Sequence, residues 1–440
     1  MEKLNELNGQ DLFQVAKKII PGGNMLLSKN PEMFLPDLWP AYFSKTQGCQ
    51  VWDLEKKMYY DFSIMGIGTN TLGYNNPVVD ESIQKVVKDG ISSTLNCPEE
   101  VYLAQELINL NTWGQSVRFC RTGGEANSVA IRIARAASKG RTNVAVCGYH
   151  GWHDWYIALN LGEKQNLDEL LLPGLEPLGV PNNLKNTIFP FKYNDLEGLR
   201  KTCLEQNIGV IKMEVYRNEA PENNFLQKVR QLCNELDIIL IFDECTSGFR
   251  ETEAGVYKNF NIEPDMVIYG KTLGNGYAIT AILGKQNIMK FAEKTFISST
   301  FWTERIGPTA GLATLKEMRR IKSWEIITTI GKRINSIWEK IFTDYQLGFK
   351  ISGLPAITSF NLEKNDQLIQ TYLTQEMLKK GFLFSNRFYA SIAHEESLIL
   401  NYKQNLEECF YELSKIDFDE NQILNRLEGR IKRSGFKRLN

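Results

Sequence analysis

The stretch from Asp237 to Gly276 constrains this chain more than any other. Ile238 to Phe242 is a continuous apolar run that stops at Asp243 and Glu244, and Met266 to Tyr269 is a second one that stops at Gly270 and Lys271. Such runs suit buried parallel strands, whose carboxyl ends open into a site in sheets of this kind. A charge at the end of an otherwise apolar strand is costly unless something pairs with it. One ligand that engages both charges is the economical answer.

Pyridoxal phosphate has the chemistry to do so. Its aldehyde needs a lysine amine to form an imine, and its ring nitrogen needs a carboxylate to stay protonated and draw electrons from a substrate carbon. Lys271 and Asp243 are the candidates. Two other readings of the same residues stay open. Gly270-Lys271-Thr272 looks like the end of a phosphate-binding G-x-x-x-x-G-K-[ST] loop, although the first glycine of that motif would fall on Asp265. Alternatively, Lys271 is a loop lysine and Asp243 a helix cap.

Other strand ends carry site-like residues. Val117 to Cys120 runs into Arg121-Thr122-Gly123-Gly124, and the helix expected from Glu125 to about Ser138 has a small apolar face at three- and four-residue spacing. Gly123 and Gly124 at the start of that helix make either a phosphate-binding turn or a plain tight turn. The strand Asn143 to Cys147 leads into Gly148-Tyr149-His150-Gly151-Trp152-His153, where Tyr149 can lie over a flat ligand or simply pack. The strand Ile208 to Glu214 ends in another acid. His150 and His153 lack the accompanying H-E-x-x-H pattern or clustered carboxylates, so no metal centre is expected.

The balance of 51 basic and 52 acidic residues gives no electrostatic case for nucleic acid or an anionic membrane surface. No stretch of about 18 apolar residues and no signal-peptide pattern is evident, so a cytoplasmic location is expected. The eight cysteines are scattered without a C-x-x-C pair, as in a reducing compartment. Alternating strand and helix patterns predict an α/β fold with a mainly parallel sheet plus a smaller α+β domain built from both chain ends. The expected division is 1–60 as an N-terminal arm and part of the small domain, 61–320 as the large domain and 321–440 as the rest of the small one. Residues 160 to 190 read as a loop excursion, and about Gly307 to Gln346 as a long helical stretch.

Taken together, Pro21-Gly22-Gly23, Arg121-Thr122-Gly123-Gly124-Glu125-Ala126, Gly148-Tyr149-His150-Gly151, Asp243-Glu244-Cys245-Thr246-Ser247-Gly248-Phe249-Arg250 and Gly270-Lys271-Thr272-Leu273-Gly274-Asn275-Gly276 resemble the class III aminotransferases of fold type I. The likeness is strongest to the glutamate-1-semialdehyde 2,1-aminomutase branch. It implies a large domain with a seven-stranded sheet and a pyridoxal phosphate site. By that resemblance Lys271 forms the imine and moves the proton, and Asp243 holds the ring nitrogen. Gly123 and Gly124 meet the phosphate, Tyr149 covers one ring face and Cys245 the other. Thr300 matches a threonine that reaches the cofactor of a neighbouring subunit, which implies a homodimer. Glu214 lies near the cofactor, within reach of substrate or of a gating arginine.

Two departures bear on substrate. The family's N-S-G-T-E-A is Arg121-Thr122-Gly123-Gly124-Glu125-Ala126 here, so one phosphate hydroxyl is lost while the amides remain. The aminomutases carry an arginine for the substrate carboxylate shortly after Pro-Gly-Gly, where this chain has Lys29, which cannot supply a bidentate fork. The expected activity is therefore ping-pong transamination between a primary amine or amino acid and a carbonyl acceptor. An intramolecular aminomutase and an amino-acid racemase or epimerase are the alternatives.

Overall fold

The apolar run that ends in Asp243 forms the fourth strand, Ile239–Glu244, of a seven-stranded sheet. From one edge the order is Ser116–Cys120, Thr280–Gly284, Met266–Tyr269, Ile239–Glu244, Ile208–Glu214, Asn143–Cys147 and Ile188–Pro190. Thr280–Gly284 is antiparallel to both of its neighbours, and the remaining pairs are parallel. Every residue of the three strands from Ile208, Ile239 and Met266 is buried, which is why their sequences carry no polar alternation.

The computed structural model describes residues 4–162, 166–170, 173–216 and 218–434. The extreme ends of the expected outer domains, 1–3 and 435–440, and part of the 160–190 excursion lie outside the described residues. The chain divides into two compact units, 77–325 and 1–76 together with 326–440.

In the unit 77–325 the helix Gly123–Ala137 packs its Ala126, Ala130, Ile133 and Ala134 face into the core beside Val144, Val210, Ile241 and Ile268. Its start is fixed by a capping box between Thr122 and Glu125. Asp265, the residue that breaks the phosphate-loop pattern, anchors the far end of the sheet. Its carboxylate accepts from the Leu240 amide at 2.8 Å, from Arg230 at 2.9 Å and from Lys285 at 2.8 Å, so a nearly buried acid is fully paired.

The unit of the two chain ends contains a sheet of Phe43–Gln47, Gln50–Asp53 and Met58–Phe62, to which Phe382–Phe384 adds in parallel. A second sheet joins Phe349–Ser352, Ile357–Leu362 and Arg387–Tyr389. Trp338, Phe342, Phe360 and Tyr402 fill its core, and Trp338 Nε1 donates to Tyr402 Oη at 3.0 Å.

The helical stretch expected over about 307–346 consists of two helices, Ile306–Ile321 and Ser323–Asp344. Lys322 between them takes the left-handed conformation at φ 52° and ends the first. The described residues of the 160–190 excursion include the short helical turns Asp168–Leu170 and Asn182–Leu184 and run into the strand Ile188–Pro190. No helix among the described residues is long and apolar enough to cross a membrane. Nor does any group of three or more His, Cys, Asp or Glu among them have the arrangement to hold a metal ion.

Candidate active site

Parallel pairing of the central strands brings the predicted charges to one place. Glu214 is the register partner of Asp243, and Asp243 is the partner of Ile268, three residues before Lys271. Past the strand ends, the Lys271 amide donates to the Cys245 carbonyl at 2.9 Å, and Lys271 Nζ donates to Thr246 Oγ1 at 2.7 Å. The lysine amine and the aspartate therefore belong to adjoining turns at the carboxyl edge of the sheet.

Asp243 is 2 % exposed and fully engaged. Oδ1 accepts from the Cys245 amide at 3.0 Å, and Oδ2 lies 2.8 Å from His150 Nδ1 and 3.5 Å from Lys212 Nζ. Burial alone would raise its pKa. The Lys212 charge and the His150 hydrogen bond outweigh burial and hold the carboxyl well below the usual carboxylate range. The ionised form is thereby favoured, as suits a partner for a protonated ring nitrogen.

Glu244, the next residue, does a different task. Its side chain turns to Ser247 Oγ and the Tyr257 amide, where burial pushes its pKa up to about 7. It ties the loop that follows the strand.

Gly123 and Gly124 open the Gly123–Ala137 helix, and their amides have no acceptor among the described residues. Two unsatisfied donors at a helix N-terminus, with about half a positive charge, suit a phosphate. Cys245 sits between the two glycine turns. A Cβ on Gly123 would come within 2.9 Å of Cys245 Sγ, and one on Gly270 would overlap it, so both turns must be bare for the backbone to close around this sulfur. Burial pushes the Cys245 thiol up to about 11, with the charge of Asp243 adding to it, and this makes the group a neutral packing surface rather than a nucleophile. An anion cradle, a buried carboxylate and a lysine amine on neighbouring turns fit pyridoxal phosphate.

Gly148 takes φ 101°, and a Cβ there would come within 2.6 Å of Glu214 Oε2. The bare turn lets the Tyr149 amide donate to that oxygen at 3.0 Å, so Tyr149 and Glu214 are held by each other. Thr300 opens the short turn Thr300–Thr303 and is exposed. The turn is tied to the cradle: Arg121 donates to the Trp302 and Glu304 carbonyls, both at 2.9 Å, and Trp302 Nε1 donates to Glu125 at 3.3 Å. Lys29 closes the turn Leu27–Lys29 in the unit formed by the two chain ends.

Two participants escaped the sequence reading. His150, weighed there only as a metal ligand, is the hydrogen-bond partner of Asp243. Lys212 was passed over, although a lysine inside the apolar run Ile208 to Met213 is a visible signal.

The family profile described as "Aminotransferase class-III" matches residues 37–416. The 3-aminobutyryl-CoA aminotransferase of Cloacimonas acidaminovorans is 30 % identical over 87 % of this chain and 91 % of its own length. A glutamate-1-semialdehyde 2,1-aminomutase of Nitrosopumilus maritimus is also 30 % identical, over 89 % and 96 % respectively. Among solved structures, the FumI protein of Sphingopyxis sp. MTA144 superposes with a TM-score of 0.83 at 23 % identity, covering 93 % of this chain and 97 % of that one. An omega-transaminase from Sphaerobacter thermophilus gives 0.81 at 19 %, covering 92 % and 98 %. Pyridoxal phosphate is the cofactor of this group. Fold, cradle and relatives agree: the chain belongs to the class III aminotransferases.

Proposed function

We propose that Lys271 and Asp243 carry the aminotransferase reaction of this chain, with a primary amine or amino acid as donor and a carbonyl compound as acceptor in a ping-pong cycle. When bound, pyridoxal phosphate supplies an electron sink for the carbon that loses its proton. Lys271 supplies the amine that holds the cofactor aldehyde. With its amine free, Lys271 Nζ would take the proton from the substrate carbon and return it. Asp243 would hold the ring nitrogen as a cation, the Gly123 and Gly124 amides would bind the phosphate, and Tyr149 and Cys245 would flank the ring. The observation that carries this reading is the coincidence of a buried Asp243, paired with Lys212 and His150, with the Lys271 amine on the adjoining turn.

Glu214 and Lys29 are assigned to substrate selection. Thr300 is assigned to the cofactor site of a second copy of the chain; its turn carries Phe301 at 75 % exposure and follows Phe296 at 90 %, apolar surface that a homodimer would cover. A cytoplasmic setting belongs to the same reading, supported by eight cysteines that are all unpaired.

The test is to mix the purified, cofactor-loaded protein with a panel of primary amines and follow the near-visible absorbance. Transamination predicts its loss with the right donor and its recovery on adding a carbonyl acceptor. The aminomutase reading, which relatives of that name support, predicts turnover without any acceptor. Exchange of the substrate proton with no net amino transfer would mean a racemase or epimerase and would overturn the assignment.

A further inference from the structure

Lys212 occupies the interior of the fully buried strand Ile208–Glu214 and is 0 % exposed. Its Nζ has no hydrogen-bond partner among the described residues and stands 3.5 Å from Asp243 Oδ2. A buried ammonium without hydrogen bonds is among the most expensive groups a fold can keep, and it is tolerated only where an opposite charge compensates it. Burial lowers its pKa, and the charge of Asp243, with a smaller contribution from Glu214, pulls in the other direction. Neutral methionine would fill the same space at lower cost, so the charge itself needs an explanation.

We propose that Lys212 is a built-in counter-ion for Asp243: a positioning residue that occupies the electrostatic role of the ring nitrogen from behind and so limits how strongly Asp243 discriminates a cationic ring from a neutral one. The inference rests on the reading that Asp243 faces the ring nitrogen. Before the cofactor arrives, Lys212 already places a cation within ion-pair distance of the buried carboxylate. With the cofactor bound, two cations share one anion, and the attraction between Asp243 and the ring is partly offset by repulsion from Lys212. Without Lys212, a ring that brings no positive charge would leave Asp243 buried and uncompensated.

The experiment compares dissociation constants of pyridoxal phosphate and of its carba analogue, in which a CH replaces the ring nitrogen, measured by equilibrium dialysis against the full-length apoprotein. The readout is the ratio of the analogue's constant to that of the natural cofactor. For Lys212→Met the ratio should rise about tenfold over the unaltered protein, because the repulsion that is removed acts on the cationic ring and not on the neutral one. Lys212→Gln should give a rise of the same sign and serves where the methionine variant does not fold. A merely structural lysine would weaken both ligands equally, and an unmoved ratio overturns the proposal. Asp243→Asn separates the two levels of the argument. A fall in its ratio with no change in either Lys212 variant sinks the counter-ion alone, whereas an unchanged ratio in Asp243→Asn sinks the placement of Asp243 at the ring nitrogen.

Discussion

His150 Nδ1 lies 2.8 Å from Asp243 Oδ2, and its other nitrogen, Nε2, lies 3.1 Å from the Cys147 carbonyl. Both neighbours are acceptors, and the carboxylate is the stronger, so Nδ1 carries a proton, donates it to Asp243 and orients that side chain. His150→Phe removes that donor from a buried anion and should cost roughly 2 to 3 kcal/mol of stability, measured by chemical denaturation of the apoprotein. A loss below about half a kcal/mol would mean that Asp243 does not depend on this bond.

Lys271→Ala should abolish the near-visible absorbance that pyridoxal phosphate acquires on a lysine amine and lower turnover by at least roughly a hundredfold. Absorbance and steady-state rates check this together. Retention of both would remove Lys271 from its assigned role.

Asp243→Asn keeps the shape of the side chain but not its charge. The near-visible band should persist while kcat falls by about a hundredfold, within the range for a positioned proton-transfer system. Single-turnover proton exchange at the substrate carbon locates the loss, and an unchanged exchange rate would assign the ring nitrogen to another group.

Glu244 predicts a pH effect on stability. Its carboxyl moves from 4.5 to about 7 on burial, so the folded state binds the proton more tightly than the unfolded one. The stabilisation is full below 4.5 and is lost as pH rises toward 7, after which both states are ionised and the loss, on the order of 3 kcal/mol, stays constant. Glu244→Gln should flatten that slope in denaturation midpoints collected across this range; an undiminished slope would place its origin elsewhere.

Cys245 and Gly270 should be coupled. Gly270→Ala places a methyl against Cys245 Sγ and should destabilise by about 1 to 3 kcal/mol. Adding Cys245→Ala should recover most of that loss, a coupling readable from a double-mutant cycle. Additive losses would show that the turn is constrained by something else.

Subunit mixing tests the shared site. Thr300→Ala and Lys271→Ala proteins, each impaired, should regain activity when unfolded and refolded together, because a mixed dimer contains one site with both native residues. Mixtures that stay as inactive as their components would confine Thr300 to its own protomer.

The strand ends were legible because a strand buried on both faces is apolar throughout, so Asp243 and Lys271 stand out against their runs. The Gly123-Gly124 turn was legible through the small-residue helix behind it. Pairings across the sheet were not: His150 and Asp243 are 93 positions apart, and no local pattern joins them. Lys212 was hidden by its type, because a lone lysine usually reaches solvent along its stem. The strand Phe43–Gln47 carries mostly polar, exposed residues at a sheet edge and so lacks the apolar signature of a strand. The break at Lys322 has neither glycine nor proline to announce it, and a lysine in that conformation costs about 1 to 2 kcal/mol that only the surrounding structure can justify.

The parallel pairing of Phe382–Phe384 with Met58–Phe62 ties together segments more than three hundred residues apart. During translation the first of these leaves the ribosome roughly fifteen seconds to a minute before its mate exists. Through that interval Met58–Phe62 has one unpaired edge, whose N–H and C=O groups stay open to other strands until Phe382–Phe384 emerges.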